Sequence, residues 1–204
     1  VIYGLPDAFF ILEVLMSKDT LIFVDNGFFR LVQKEFESKL NKKTRFLKSF
    51  RNFCENENLN LKHLFFYTAP PYQSEKSSEK EIVLKRNYDN LSRLLGYKKW
   101  ITLREGRCQR LKVDGNFKYS QKGVDILLAM DLMRFDRTFQ TVKKIILIIC
   151  DSDFVPAINR LKEEGIEVIV YTYFDRIRGS PFSRYNELLG SASRWVKLRK
   201  EDFI

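Results

Sequence analysis

The chain has 204 residues, of which 45% are hydrophobic and 14% aromatic, and this is enough to bury the core of a compact domain. No stretch approaches the roughly 18 uncharged apolar residues that a membrane span needs, because Asp7, Glu13, Lys18 and Asp19 interrupt the apolar amino-terminal segment. The net charge of +10, from 36 Lys and Arg against 26 Asp and Glu, favours polyanionic partners, with nucleic acid first and an anionic membrane surface second.

Cysteine and histidine exclude several kinds of site. Cys54, Cys108 and Cys150 are odd in number and far apart, which fits neither a disulfide framework nor a paired-cysteine zinc site. The single histidine, His63, lies inside the apolar run LKHLFFY, so the sequence offers no histidine-rich metal site and no Ser-His-Asp triad. This composition predicts a reducing, cytoplasmic location.

The amino terminus is interpreted separately from the rest. Residues 1–15 are taken as an N-terminal extension of uncertain status, because Met16 reads like a natural start just before the first strand. A signal peptide is the alternative, but the segment has neither a basic first region nor a small-residue cleavage site. Residues 16–204 are predicted to form one domain, because no linker or repeat divides them.

Apolar runs alternate with segments of helical period along the chain. The predicted strands are 21–24, 61–67, 98–103, 145–149 and 166–173. The predicted helices are 28–40, 45–56, one ending near residue 95, 123–139, 154–164 and 185–194. Segment 73–81 is either a mobile loop or the capped start of the third helix, and Asp114-Gly115 predicts a hairpin turn. Strands that are apolar throughout are typical of parallel strands covered on both faces, so we expect an α/β, doubly wound sheet.

Two of the apolar strands end in acids. Asp25 follows LIFV, and Asp151 and Asp153 follow ILIIC. An unpaired charge after a buried strand costs several kcal/mol of desolvation, and ligands of open α/β sheets bind at the carboxyl ends of the strands. Helix capping by Asp25 or Asn26 and by Asp151 or Ser152 is the competing interpretation, and spacing alone does not decide between capping and a metal site.

A third element adds a further acid. Asp125 opens the helix that follows the hairpin, and Asp131 lies six positions on, on a different helix face, which makes it a lesser candidate ligand. A set of carboxylates without histidine or cysteine is an all-oxygen site that suits Mg²⁺ or Mn²⁺. Such ions serve phosphodiester hydrolysis.

These motifs together resemble the NYN domain, a family of the PIN-like nuclease group related to flap endonucleases. The resemblance rests on IFVD ending at Asp25, KGVD ending at Asp125, LAMD ending at Asp131 and CDSDF around Asp151, and it spans about residues 21–170. It implies a Rossmann-like, three-layer domain with a mainly parallel central sheet, to which this chain adds a basic β-hairpin. It also implies that Asp25, Asp125, Asp151 and Asp153 bind Mg²⁺ or Mn²⁺, with Asp131 further along the helix.

The chain departs from the family pattern at two places. Phe28 stands where members commonly carry asparagine, which leaves Asn26 as the nearby amide, and Ile149-Cys150 stands where Ser-Gly is common. Asn26 and Ser152 are the candidate positioning residues.

Basic residues crowd the segment that leads to Asp125, interleaved with Trp100, Phe117 and Tyr119. A basic surface with aromatic faces suits a single-stranded nucleic acid, whereas a solvated hairpin with inward aromatics is the plainer alternative. The candidate nucleic-acid-binding residues are Lys99, Arg104, Arg107, Arg110, Lys112, Lys118, Lys122 and Arg178.

The leading hypothesis is a metal-dependent endoribonuclease that acts on RNA, or on single-stranded DNA. It predicts no membrane partner and allows a homodimer. The alternative is a catalytically degenerate NYN-type module that binds RNA or protein. The departures from the family pattern at Phe28 and Cys150 favour this alternative. A Mg²⁺-dependent phosphatase or sugar-nucleotide transferase is a third class. It is disfavoured because the first strand ends in Asp25-Asn26-Gly27 rather than Asp-x-Asp and because it gives no role to the basic hairpin.

Overall fold

A computed structural model describes residues 18–41, 43–44, 46–175, 177, 180 and 182–203. The strands are β1 (Asp19–Asp25), β2 (Asn60–Thr68), β3 (Ile101–Glu105), β4 (Arg107–Val113), β5 (Asn116–Lys122), β6 (Lys144–Ile148), β7 (Glu167–Thr172) and β8 (Arg194–Lys197). The helices are α1 (Asn26–Leu40), α2 (Phe46–Asn56), α3 (Glu79–Gly96), α4 (Val124–Leu132), α5 (Val155–Glu163) and α6 (Asn186–Ser191). The N-terminal extension assigned to residues 1–15 lies outside the described residues.

Six strands form one parallel sheet in the order β3-β2-β1-β6-β7-β8, and β4 and β5 form a separate antiparallel hairpin. The chain moves from β1 to one side of the sheet through β2 and β3, then returns to the other side of β1 with β6. The direction of winding therefore reverses between β1 and β6. The predicted α/β sheet and the hairpin insertion are both confirmed.

Helices cover both faces of the sheet, which explains why its strands are apolar throughout. On β1, Ile22 and Val24 face a core formed with α1 and α2. Leu21 and Phe23 face a second core formed with α4 and α5. Alternate strand residues point to opposite faces, so a strand buried on both sides needs an apolar residue at every position.

Helix ends follow their capping residues. Asp25 accepts a hydrogen bond from the Gly27 amide at the start of α1, and Ser78 with Glu81 forms a capping box at the start of α3. The stretch 73–81 is thus a loop up to Ser78 and then the first turn of the helix. No helix within the described ranges is long and apolar enough to cross a bilayer.

Three predicted boundaries were wrong. The helix expected over 123–139 ends at Leu132 and is followed by a 3₁₀ turn, Phe135–Arg137. The strand expected over 98–103 is shifted to Ile101–Glu105, and the last helix stops at Ser191 because 194–197 is the edge strand β8. Pairing with β7 decides that last segment, and such pairing is invisible in local periodicity.

Gly106 joins the sheet to the hairpin at a point of close backbone approach. A methyl group at this position would lie 2.5 Å from the Lys122 carbonyl oxygen and 2.8 Å from a Val124 methyl carbon. The Gly106 amide donates to the Thr68 carbonyl at 2.8 Å, which ties the same point to the end of β2. Gly106 therefore allows the hairpin to pass over the start of α4.

We expect Gly106→Ala to destabilise the protein by about 1–3 kcal/mol, because the added methyl group forces the backbone at Lys122 to move. The midpoint of thermal unfolding, followed by circular dichroism, should fall by roughly 2–4 °C per kcal/mol. Gly96→Ala is the matched control, since no atom lies within 4 Å of the methyl group it adds. An equal effect of the two substitutions would contradict the close approach.

Candidate metal centre and nucleic-acid groove

Asp25 and Asp151 lie at the carboxyl ends of two neighbouring parallel strands. Val24 pairs with Ile148, so the residue that ends β1 and the residues that follow β6 leave the sheet side by side. This is also the place where the winding reverses and where the helices on the two faces diverge, which opens a crevice. The fold thus brings acids that are 126 positions apart in the sequence to one edge.

Both aspartates cap the turns that follow them. Asp25 Oδ1 accepts from the Gly27 amide at 2.8 Å, and Asp151 Oδ1 accepts from the Asp153 amide at 3.0 Å. The capping interpretation is therefore correct for one oxygen of each carboxylate, and Asp25 and Asp151, rather than Asn26 and Ser152, are the capping residues. The hydrogen bonds that cap these two turns are accepted by Oδ1 of each aspartate.

The carboxylates repel one another. Burial, followed by the charges of Asp125 and Asp151, raises the pKa of Asp25 from 3.8 to about 6, against the lowering effect of the Gly27 and Phe28 amides. Burial and the charges of Asp151 and Asp153 also raise the pKa of Asp125. No Lys or Arg is among the main causes of the pKa shifts of Asp25 and Asp125. We call Asp25, Asp125, Asp151 and Asp153 the acid cluster.

The two residues that depart from the family pattern lie against the acid cluster. Burial and the charges of Asp25, Asp151 and Asp125 raise the pKa of the Cys150 thiol to about 12, so Cys150 is a neutral thiol at physiological pH. The Phe28 side chain is buried in the core beneath α1, while its amide supports the Asp25 carboxylate. Ser152 is half-buried in the turn between Asp151 and Asp153.

Asp131 is engaged elsewhere. Its Oδ2 accepts from the Tyr67 hydroxyl at 2.9 Å and from Arg104 Nε at 2.8 Å, while its Oδ1 accepts from Arg104 Nη2 at 2.9 Å. Burial raises the pKa of Tyr67, the charge of Asp131 adds to that shift, and the phenol therefore stays a donor. The bidentate pair with Arg104 ties α4 to β3, and the Tyr67 hydrogen bond ties it to β2, so these contacts hold the helix that carries Asp125.

The chemistry of the acid cluster fits a hard divalent ion, since every side-chain donor in it is a carboxylate oxygen. Burial and the neighbouring carboxylates raise the pKa values of Asp25 and Asp125, and a cation among the four groups would offset both effects. In the part of the chain that the structure describes, no three His, Cys, Asp or Glu side chains are gathered closely enough to hold an ion as they stand. The carboxylates are near enough to raise the pKa values of Asp25 and Asp125, but they do not form a complete set of metal ligands in this arrangement.

A groove of about 580 Å³ opens beside Asp25, between α1, α3 and the hairpin. Asn26 and Gly27 form its end at the acid cluster, and Arg30 and Lys34 contribute cations from successive turns of α1. The Asn26 amide nitrogen donates to Thr68 Oγ1 at 3.0 Å, which links the ends of β1 and β2. Asn26 and Ser120 both line the groove, and each has a buried side-chain oxygen, Asn26 Oδ1 and Ser120 Oγ, for which the described residues offer no hydrogen-bond partner.

The hairpin distributes its cations over two faces. The register pairs Arg110 with Tyr119 and Lys112 with Phe117, and strand alternation places these four on the face that carries Gln121. Arg107, Lys118 and Lys122 lie on the opposite face. Two other candidate nucleic-acid-binding residues lie away from the hairpin faces. Lys99 precedes β3, at the amino ends of the strands, and Arg104 is bound to Asp131. Arg178 lies outside the described residues.

Four residues of this region were missed by the sequence analysis. A methyl group on Gly27 would lie 3.1 Å from Asp25 Oδ1 and 3.5 Å from Gln121 Oε1, which places the Gln121 amide next to the acid cluster. Arg30 and Lys34 line the groove, and their spacing of four on the helix after Asp25 was a signal available in the sequence. Tyr72, which follows two prolines in a loop, gave no signal.

Comparison with known proteins agrees with this architecture. The sequence model of the NYN domain matches residues 19–187. A solved structure of a protein of unknown function from Vibrio parahaemolyticus is similar, with a TM-score of 0.55, 18% identity, and coverage of 92% of this chain and 96% of that chain. That likeness shows the fold alone. A search of curated proteins gave no match. The sheet, the acid-bearing strand ends and the span of the match lead to one conclusion: this chain belongs to the NYN domain family, within the PIN-like group of nucleases.

Proposed function

We propose that the protein is a metal-dependent endoribonuclease that hydrolyses phosphodiester bonds of single-stranded RNA. NYN domains are generally nucleases, and PIN-like nucleases generally use divalent metals. The observation that carries the proposal is the acid cluster, in which burial and neighbouring carboxylates raise the pKa values of Asp25 and Asp125 at the reversal point of the sheet. A bound Mg²⁺ or Mn²⁺ ion would supply an activated water and stabilise charge on the phosphate.

Asp25, Asp125, Asp151 and Asp153 are the residues that would hold the ion. Oδ1 of Asp25 and Oδ1 of Asp151 each accept from a backbone amide, which fixes the direction of the carboxylate towards the proposed ion. Asp131 acts through the position of α4, where its pair with Arg104 holds the helix that begins next to Asp125. The Gln121 amide lies beside Asp25, and the Asn26 side chain holds the start of α1 against Thr68. Both residues would position the end of the groove next to the acid cluster.

The groove is the proposed path of the RNA strand past the acid cluster. Arg30 and Lys34 line one wall and neutralise phosphates, and the hairpin forms the other wall. Asn26, whose Oδ1 is buried without a hydrogen-bond partner, lines the end of the groove near the acid cluster. We propose RNA as the substrate, with single-stranded DNA as the alternative. A homodimer and a cytoplasmic location stay predictions.

Metal removal tests the proposal most directly. We expect the protein to open a circular single-stranded RNA in millimolar Mn²⁺, with the linear product seen on a denaturing gel, and to lose this activity in EDTA. A circle has no ends, so its opening identifies endonucleolytic attack. A circular single-stranded DNA of the same sequence measures the preference for ribose over deoxyribose. Cleavage that persists unchanged in EDTA would rule out the metal-dependent reaction.

A binding module without cleavage is the second candidate function. It is favoured by the absence of a preformed metal cage within the described residues and by Phe28 and Cys150 at the departures from the family pattern. RNA binding that is equally strong in EDTA and in Mn²⁺, with no linear product after prolonged incubation, would select this function over the nuclease.

A further inference from the structure

A second pocket continues the groove away from the acid cluster. It has a volume of about 580 Å³, within the roughly 300–1,000 Å³ of small-ligand sites. It shares four lining residues with the groove, namely Pro71, Leu84, Cys108 and Tyr119. One trough therefore runs from the end of the groove near the acid cluster, along α1, to the Arg110–Tyr119 pair in the middle of the hairpin. We call its distal part the stacking pocket.

Aromatic rings are the distinguishing feature of the stacking pocket. The rings of Tyr72 and Tyr119 lie with centroids 5.8 Å apart and planes inclined at 53°. The Arg110 guanidinium lies 4.5 Å from the Tyr72 centroid and 4.4 Å from the Phe117 centroid, so it is held between two rings. Tyr119 and Phe117 remain 54% and 53% exposed. Aromatic faces in this setting are available to a ligand rather than to the core.

The charge around the stacking pocket suits a phosphate-bearing ligand. Lys76, Lys80 and Arg110 line it. Its one carboxylate in the described lining, Glu81, is occupied, because Glu81 Oε2 accepts from Ser74 Oγ at 2.8 Å and from the Ser78 amide at 2.8 Å. These hydrogen bonds hold the Glu81 carboxylate in place without removing its charge. The three cations outnumber this one carboxylate, so the net charge of the described lining is positive.

We infer that the stacking pocket binds an unpaired nucleobase, on Tyr72 and Tyr119, from the strand whose backbone passes the acid cluster. The inference rests on the proposed function, since the strand is the proposed substrate. A base inside a duplex is covered on both faces by its neighbours, so the pocket takes only a base that is free to turn out of the stack. The cations beside the rings neutralise the adjoining phosphates, and the trough connects this base to the site of cleavage.

The test separates bases from backbone charge. A fluorescein-labelled 12-mer of uridine and a 12-mer abasic ribose-phosphate chain of the same charge are titrated with the protein in EDTA at fixed ionic strength, by fluorescence anisotropy. We expect the wild type to bind the uridine chain at least about tenfold more tightly. Tyr119→Ala and Tyr72→Ala should each lower affinity for the uridine chain by about tenfold and leave the abasic chain unaffected.

Two further variants separate stacking from loss of fold. Tyr119→Phe keeps the ring and should bind like the wild type. Tyr97→Ala removes an aromatic side chain that is 80% exposed outside the pocket, and it should also bind both chains like the wild type. Equal affinity of the wild type for the two chains would overturn the stacking pocket while leaving cleavage untouched. Binding of neither chain would also overturn the stacking pocket, whereas the proposed function fails separately, if the circular RNA is not opened in Mn²⁺.

Discussion

Asp151→Asn should lower the rate of RNA cleavage in Mn²⁺ by about a hundredfold or more and leave the fold intact. The rate falls because the variant loses a charged ligand of the proposed ion, and each 1.4 kcal/mol of lost transition-state stabilisation costs a factor of ten. The fold persists because asparagine also caps helical turns through its side-chain oxygen and accepts from the Asp153 amide as aspartate does. Initial rates on the circular RNA, with the unfolding temperature beside them, measure both effects.

Asp136→Asn is the matched control for this substitution. Asp136 lies exposed in the 3₁₀ turn after α4, outside the acid cluster, so the same change of charge should leave the rate of cleavage unchanged. Comparable losses in the two variants would show that the effect of Asp151→Asn is not specific to the acid cluster. An Asp151→Asn protein that cleaves at the wild-type rate would remove Asp151 from the site.

Asp25→Asn should stabilise the protein in EDTA at neutral pH while removing its response to Mn²⁺. The folded-state pKa of Asp25, about 6, lies above its ordinary 3.8, so the folded protein holds this proton more tightly than the unfolded chain does. The free energy of unfolding therefore falls as pH rises from about 4 to about 6 and then stays reduced. Asparagine carries no charge and keeps the cap. The Asp25→Asn substitution should therefore raise the free energy of unfolding by about 1–2 kcal/mol at pH 7.5.

Thermal unfolding at two pH values checks the sign of this effect. At pH 7.5 in EDTA we expect Asp25→Asn to unfold at a temperature roughly 2–8 °C above the wild type, and at pH 4.5 the difference should shrink, because Asp25 is then protonated. Adding Mn²⁺ should raise the unfolding temperature of the wild type and not of the variant. Asp136→Asn should behave like the wild type throughout. A variant that is less stable at both pH values would contradict the repulsion within the acid cluster.

The fold was readable from sequence wherever local pattern and tertiary environment agree. Strands such as LIFV and ILIIC are apolar at every position because helices cover both faces of the sheet, and that pattern predicts parallel pairing. The predicted boundaries were wrong where pairing or packing decides them, as at β8 and at the end of α4. A four-residue edge strand carries too little pattern to be distinguished from a helix end.

The candidate site divides in the same way. Asp25, Asp151 and Asp153 follow buried strands, and chain position alone predicts that they meet at one edge. The partner of Asp131 was not predictable, because Arg104 lies 27 positions away and reaches it only when β3 and α4 pack together. The faces of the hairpin were equally hidden, since a count of cations does not give the register that separates Arg110 from Lys118.

The sheet, the family and the acids at the strand ends can all be predicted from the amino-acid pattern, because burial and strand alternation constrain the residue type at every position of a strand. Which charges remain available depends on contacts that form only in the folded protein. The tertiary structure placed Arg104 on Asp131, set Gln121 beside Asp25, and aligned Tyr72 with Tyr119 across a loop and a hairpin. These contacts join segments far apart in the chain, and their energies depend on distance and solvent exposure, which exist only once the chain is folded.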